Sequence, residues 1–213
     1  LLALAYLNAR AAGADNFEIY QGDVLADPKY VSNKKLELFD KVITFPPISL
    51  KLNKEAIDQN KFNRFRFGTI GMRADYAFIS NAIASLKDKG KAVIAVADGP
   101  LFQAGSTGKI RQNLVDDDLI EAVISLPDHM FIPAGVPINL LVINKDKHNF
   151  KGKIQFINGN QTDWYKHGRF VNALTSTGIE EITKIKNKKI EKDGISTIIN
   201  NDDYKDTLSV KKY

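Results

Sequence analysis

Pro46-Pro47, set directly behind a run of β-branched residues, are the positions in this 213-residue chain whose type and spacing point most clearly to chemistry. Phe39-Asp-Lys-Val-Ile-Thr44 reads as a buried strand. It stops at the two prolines because neither donates a backbone hydrogen bond. A stiff loop at a strand's C-terminal end lies where open α/β sheets bind their ligands. The loop Phe45-Pro46-Pro47-Ile48-Ser49 offers an aromatic face, backbone carbonyls and one hydroxyl. Two other stretches carry polar chemistry. Asp23, in the turn Gly22-Asp23, either caps its own backbone or accepts a hydrogen bond from a ligand. Phe62, Phe65 and Phe67 alternate with Lys61, Arg64 and Arg66. That pattern suits base stacking and phosphate neutralisation, or equally a loop packing its aromatics beneath a domain.

Other chemistries are excluded or weak. Gly105-Ser-Thr-Gly-Lys109 lacks the spacing of a phosphate loop, because Gln103 stands where the first glycine belongs and Ile110 replaces the Ser/Thr. It reads instead as the loop that starts a helix. His129, His148 and His167 are scattered without metal-ligand spacing, and no metal site is expected. Asp116-Asp117-Asp118 reads as a solvated turn at a helix C-terminus, where the dipole disfavours acids. With no cysteine, disulfides and thiolate sites are impossible.

The elements that position these residues follow from periodicity. A helix is predicted over about Leu1 to Ala12, ended by Gly13, then a strand at Phe17–Tyr20. Val24 to Leu38 is loop-rich. After the proline loop and the polar stretch Lys51–Met72, a helix runs from about Arg73 to Lys87. Tyr76, Ile79, Ile83 and Leu86 lie on one face of it, and Gly90 ends it. Apolar strands follow at Lys91–Ala97, Leu119–Leu126 and Asn139–Asn144, with a short helix at Gly108–Val115 and a loop containing Pro133, Gly135 and Pro137. The fold class is α/β: a largely parallel sheet with helices on both faces. The last two of these strands have no helix between them and are expected to pair as an antiparallel hairpin at the sheet's edge. Lys153–Asn158 is a further strand, followed by a polar tail expected to make its own contacts without a second core.

A 44% hydrophobic and 26% charged composition is that of an ordinary globular protein, and no apolar run reaches the roughly 20 residues needed to cross a bilayer. The net charge of +5 leans mildly toward polyanions. Much of it sits in Thr183–Lys192, read as a solvated lysine-rich helix or linker before a nucleic-acid patch. Leu1-Leu-Ala-Leu-Ala-Tyr-Leu7 lacks the basic start of a signal peptide and reads as an amphipathic helix. The first residue is not Met, so an excerpt of a longer chain is expected. No membrane partner is expected, and a cytoplasmic location is.

Several blocks, in order, resemble the methylation subunit of type I restriction-modification systems, which are adenine-specific DNA methyltransferases. They are Ile19-Tyr-Gln-Gly-Asp-Val-Leu-Ala-Asp-Pro28, Phe39-Asp-Lys-Val-Ile-Thr44 with its Pro-Pro, Ala74-Asp-Tyr-Ala-Phe-Ile79 and Gly108-Lys-Ile-Arg111. Leu119-Ile-Glu-Ala-Val-Ile-Ser-Leu-Pro127, Gly135-Val-Pro137 and the terminal Leu208-Ser-Val-Lys-Lys-Tyr213 complete the series. The resemblance implies a Rossmann-like class I S-adenosylmethionine-dependent methyltransferase sheet. Residues 1–150 would be the C-terminal portion of the catalytic domain and 151–213 an extension of strand and helix. It also implies S-adenosylmethionine as cofactor, and DNA, a specificity subunit and a restriction subunit as partners.

The resemblance assigns the proline loop as catalytic. The family's usual Asn-Pro-Pro-aromatic is here Phe45, Pro46, Pro47 and Ile48, so both chemical positions depart from the pattern. Asp23, Val24 and Pro46 fall at the cofactor, with Asp23 at its adenine ring. Arg64, Arg66 and Phe67 are the candidate DNA contacts. The family's glycine turn and ribose-binding acid precede the first block seen here, so the chain alone is expected to be inactive. A non-catalytic methyltransferase-like subunit that binds DNA or other subunits is the alternative.

Overall fold

The computed structural model describes every residue except 1, 54, 56–59 and 132–134, so the expected loop position Pro133 and part of the polar stretch lie outside the described residues. The chain opens with α1 (Leu2–Ala11) and a small hairpin of β1 (Val31–Ser32) and β2 (Lys35–Leu36). The central sheet then takes β3 (Phe39–Thr44), β4 (Leu86–Ala97), β5 (Ile120–Ser125), β6 (Ile138–Asn144) and β7 (Lys153–Asn158). After the short pair β8 (Tyr165–Lys166) and β9 (Ala173–Leu174) comes β10 (Ser196–Asn200), and the sheet order is β10-β7-β5-β6-β4-β3. β3 runs parallel to β4 and β5 to β7, while β6 is antiparallel to both β4 and β5. Four strands therefore share one direction, opposed by β6 and β10.

The antiparallel β5–β6 pair forms as expected but lies inside the sheet, not at its edge. The reason is β7, whose Ile154, Phe156 and Ile157 are buried and whose backbone pairs with β5. Phe17–Tyr20 is not a strand. Its aromatics are used side-on instead: Phe17 against Tyr6 at 5.3 Å and Tyr20 edge-on to Tyr30 at 5.1 Å.

Helices cover both faces because successive strand residues point to opposite sides. On one face Val123, Leu141, Ile94 and Phe156 pack with Tyr76, Ile79 and Ile83 of α2 (Asp75–Ala84). After α3 (Asp98–Phe102), α4 (Ser106–Asp116) adds Ile110 and Leu114 to that face. On the other face Ala122, Ile124, Val142 and Ile157 meet Trp164 and, from α5 (Ser176–Lys188), Ile182 and Ile185. α2 is shorter than its periodicity suggests. Ser85 N–H caps it by donating to Asn81 O and Ile83 O. Gly90 lies inside β4, where a Cβ would come within 3.0 Å of Phe39 O, so it serves a bulge and not a helix end.

Residues 151–213 complete the core of residues 1–150. Leu208 is fully buried in the main cluster, and Tyr213 stacks on Phe156 with centroids 4.1 Å apart. Buried Arg111 locks the tail down. It donates to Pro100 O (3.0 Å), Gln103 O (2.7 Å), Tyr204 Oη (3.1 Å) and Asp206 O (2.7 Å).

The lysine-rich segment is not simply solvated. Lys186 Nζ and Lys189 Nζ reach Glu121 Oε1 of β5 at 3.0 and 2.5 Å, Lys189 lies over the Phe150 ring, and Asn144 Nδ2 donates to Glu121 Oε2 at 2.7 Å. The Glu121 side chain is 5% exposed. Burial pushes its carboxyl up, but the lysine hydrogen bonds outweigh this and hold it at about 2, against an ordinary 4.5. A depressed folded-state pKa contributes stability that is complete above the unfolded value and lost as pH falls through the folded one. Glu121 therefore contributes about 3 kcal/mol that disappears between pH 4.5 and 2. In urea melts, Glu121→Gln should be less stable at neutral pH and show a flatter acid limb in that window. Parallel acid limbs for the two proteins would refute the assignment.

The acidic run is likewise paired. Asp118 binds the buried Lys147 ammonium and accepts from Gly152 N at 3.0–3.1 Å, and Asp117 pairs with Arg66 at 3.1 Å. Among the described residues no helix is long and apolar enough to cross a membrane, and no His/Cys/Asp/Glu group could hold a metal ion.

Candidate functional site

β3 delivers the proline loop at the C-terminal end of a strand, as its sequence requires. Two sets of contacts fix it. Upstream, Phe45 is half exposed and its ring lies 4.7 Å from that of Phe131 at a 52° tilt. Ile48 packs into a small cluster with Ala95, Leu126, Ile138, Met130 and Leu174. Downstream, Ala74 N–H donates to Leu50 O and Leu52 N–H to Met72 O, which zips the loop to the start of α2. Ser49 has φ 60° and its Oγ accepts from Arg73 Nη2 at 2.9 Å. Arg73 Nε also donates to Asp75 at 3.1 Å.

The loop's chemistry follows from these positions. Pro46 is half-buried and Pro47 exposed. The carbonyls of the loop are its acceptors, since Phe45 has none in its side chain. The Ser49 hydroxyl already takes a charged donor from Arg73. Ile48 is half-buried against its cluster and offers no π face.

The second part of the site is the turn at Asp23-Val24. Asp23 Oδ1 accepts from Leu25 N at 2.9 Å and Ala26 N at 3.2 Å, so the aspartate caps its own turn. The residue remains exposed, and the Val24 side chain is 41% exposed beside it. The turn does not float. Arg64 Nη1 donates to Val24 O (2.8 Å) and to Asn81 Oδ1 on α2 (2.8 Å), and Nη2 donates to Leu25 O (2.6 Å). Leu25 closes the arrangement by packing with Phe65, Ala74 and Ala77.

This corrects the reading of the Phe/Arg stretch. Arg64 is 1% exposed, with its guanidinium committed to four oxygen acceptors, including Lys61 O at 3.0 Å. Phe67 is 3% exposed and belongs to the main core. Neither has free surface for a phosphate or a base, and the packing alternative fits both. Arg66 stays exposed, over the Phe67 ring and paired with Asp117.

A polar cleft of about 360 Å³ opens at the carboxyl ends of β4, β5 and β7; Leu126 and Ile138, against which Ile48 packs, line it, and the loop residues 45–49 do not. Asp98, Ser125, Asn139 and Asn158 line it, and Asn139 Nδ2 donates to Asp98 Oδ1 at 2.6 Å. Its signal in the sequence is an aspartate closing an apolar strand and an asparagine within another, at the ends where such sheets bind ligands.

The family model for N-6 DNA methylases matches residues 2–213. The chain is 32% identical over 197 residues to the type I restriction enzyme MjaVIII methylase subunit of Methanocaldococcus jannaschii, covering 85% of this chain and 33% of that protein. It is 29% identical over 210 residues to the MpnII methylase subunit of Mycoplasma pneumoniae, covering 93% and 38%. The chain thus spans roughly a third of the length of these curated relatives. Its fold is that of the type I restriction-modification methyltransferase subunit of Streptococcus thermophilus. The TM-score is 0.85 at 24% identity, over all of this chain and 45% of that one.

Proposed function

Because this chain belongs to the N-6 DNA methylase family, we propose that it is the C-terminal part of a type I methylation subunit, one that transfers a methyl group from S-adenosylmethionine to N6 of an adenine in DNA. The single observation that supports this reading most is the proline loop at the carboxyl end of β3, braced against α2 on one side and the Ile48 cluster on the other. A specificity subunit and a restriction subunit are the proposed partners, by likeness to the relatives' named systems.

The residues divide the work as follows. The adenine amino lone pair is delocalised into the ring, so acceptors must draw its hydrogens and return the pair to nitrogen. The carbonyls of the Phe45–Pro47 loop serve as acceptors, held still by the two prolines. Phe45 and Phe131 form an aromatic wall beside them, suited to a base turned out of the duplex. Asp23 receives the amino group of the cofactor's adenine, and Val24 and Pro46 flank that ring. The fit rests on the exposed, pinned Asp23-Val24 turn. When bound, the cofactor supplies the methyl group on a positively charged sulfur.

The second reading is a methyltransferase-like subunit that binds without catalysis. The packing of half-buried Ile48 against an apolar cluster favours it, because that side chain is used in packing and offers no π face to a base.

Calorimetric titration with S-adenosylmethionine tests the cofactor site in the whole protein that contains this chain, where micromolar binding is expected. Asp23→Asn keeps the oxygen that caps the turn while replacing the other acceptor with a donor, and should weaken binding roughly tenfold, about one hydrogen bond. Equal affinity for both proteins would remove Asp23 from the site, and no heat with wild type would remove the site itself.

A further inference from the structure

We propose that the β8–β9 hairpin, through Arg169 and Phe170, is the surface that grips the DNA strand beside the proline loop. The burial of Arg64 and Phe67 removes two of the three candidate DNA contacts, and this hairpin carries an exposed cation and an exposed aromatic side by side. Lys166, His167, Arg169 and Phe170 are all exposed, and no acid lies between Trp164 and Thr175. Phe170 is 76% exposed, and the Arg169 guanidinium sits 5.3 Å from its ring centroid. A large exposed aromatic beside a cation is what a splayed nucleic-acid strand uses: a face for a base and a charge for its phosphate.

The hairpin is aimed at the loop by contacts independent of that chemistry. Asn172 Nδ2 donates to Asp128 O at 2.7 Å and Asn172 N–H to His129 O at 2.8 Å. His167 Nδ1–H donates to Asn172 Oδ1 at 3.1 Å. The 128–131 segment so gripped carries Phe131, the ring partner of Phe45. Leu174, on β9, packs in the same cluster as Ile48. Gly168 permits the tight return, since a Cβ there would meet Val171 O at 2.1 Å. Of the flanking acids, exposed Asp128 is among the residues lining the neighbouring cleft, and Asp163 precedes β8. A methylase that turns an adenine out of the duplex opens the strand next to it. The hairpin beside the loop is placed to hold that opened strand.

This inference rests on the DNA reading above but not on catalysis, so the two can fail separately. The probe is a fluorescein-labelled, adenine-containing 20-nucleotide single strand, with the matching duplex, titrated by fluorescence anisotropy at several salt concentrations. Wild type should bind the single strand below about 100 µM at moderate salt, the usual range for non-specific contacts. Phe170→Ala should weaken binding on the order of tenfold. Arg169→Ala should lower the slope of log K against log salt by about 0.7, one phosphate on a single strand. Arg66→Ala tests the surface first expected to bind, and Lys184→Ala, an exposed lysine paired with Glu181, is the control that should change neither. Both hairpin residues are exposed, and unchanged circular dichroism would confirm that the variants fold. If Arg66→Ala weakens binding while the hairpin variants do not, or if wild type fails to bind, the proposal is overturned. Binding that maps to the hairpin, with no S-adenosylmethionine taken up by the whole protein that contains this chain, would keep this inference and sink the catalytic one.

Discussion

Arg64→Ala should cost the folded chain about 3–5 kcal/mol, although the side chain belongs to a sequence that reads as a nucleic-acid patch. The size follows from what is left behind. Removing the guanidinium orphans the carbonyls of Lys61, Val24 and Leu25 and the Asn81 amide oxygen at a site that is 1% exposed. Each unsatisfied buried acceptor costs roughly 1–3 kcal/mol, softened where water can enter. Burial pushes the Arg64 guanidinium pKa down, with Asp23 opposing the shift, as expected of a cation placed to hold a turn and not to greet solvent. Against a typical total stability of about 5–15 kcal/mol, the loss is large. Arg66→Ala, two residues away and about half exposed, should cost less than about 1 kcal/mol. Urea unfolding of both variants, followed by circular dichroism, gives the comparison. A loss under 1 kcal/mol for Arg64→Ala would show that its hydrogen bonds do not hold the Asp23-Val24 turn. Arg64→Lys should recover little, because a single ammonium cannot span three backbone carbonyls and an amide on two sides.

The same arginine shows where the sequence stops speaking. Interleaved Phe and Arg give stacking plus charge when read as a list of side chains. Whether such a list faces water or the core depends on where residues forty positions earlier come to rest, and Val24 O is such a partner. The strand positions were legible because an apolar run bounded by Pro or Gly is a local signal, and Phe39–Thr44 and the strands at 120–125 and 138–144 fall where expected. Burial was not: Phe39–Thr44 reads as a buried strand, yet β3 lies at the sheet's edge with Ile43 84% exposed, because strand pairing and not composition sets what covers a strand. The interior place of the β5–β6 pair was not legible, because it depends on β7 choosing the free edge of β5. Glu121 shows the same limit from the other side. An acid within an apolar strand looks like an error until Lys186 and Lys189 arrive from a helix some 65 residues later. The helix at 73–87 ended early because Ser85, and not Gly90, supplies the cap. Of the candidate site, the proline loop could be read directly, since proline chemistry is local. The hairpin at 165–174 could not, because its relation to that loop runs through Asn172 and the 128–131 backbone.

The loop itself carries the other large effect. In the whole protein that contains this chain, Phe45→Asn with Ile48→Phe should raise methyl transfer to adenine by about 10²–10³, the worth of one preorganised hydrogen-bonding group, or about 3–4 kcal/mol. An Asn at position 45 gives the adenine amino group a side-chain acceptor next to the loop carbonyls. A Phe at position 48 would add stacking worth about 1–3 kcal/mol if its ring can turn outward. That second change carries a cost of its own. Ile48 fills part of a cluster with Leu126, Ile138 and Leu174, and overpacking there costs typically about 1–3 kcal/mol of stability. The pair should therefore be made in steps. Phe45→Asn alone touches an exposed ring whose contact is Phe131, so it should fold normally and carry most of the rate gain. Ile48→Phe alone should lower stability and add little, since stacking without an acceptor does not free the lone pair. Transfer of a labelled methyl group to adenine-containing DNA under single-turnover conditions separates these cases. A gain in the Phe45→Asn protein over a slow wild type would mean that the site is whole except for one acceptor. Equal rates in wild type and variant would mean that Phe45 never occupied the acceptor's place, and that Ser49 or a loop carbonyl already does the work. No transfer in any variant, with cofactor bound, would leave the loop as a base-holding surface in a subunit that binds DNA without modifying it.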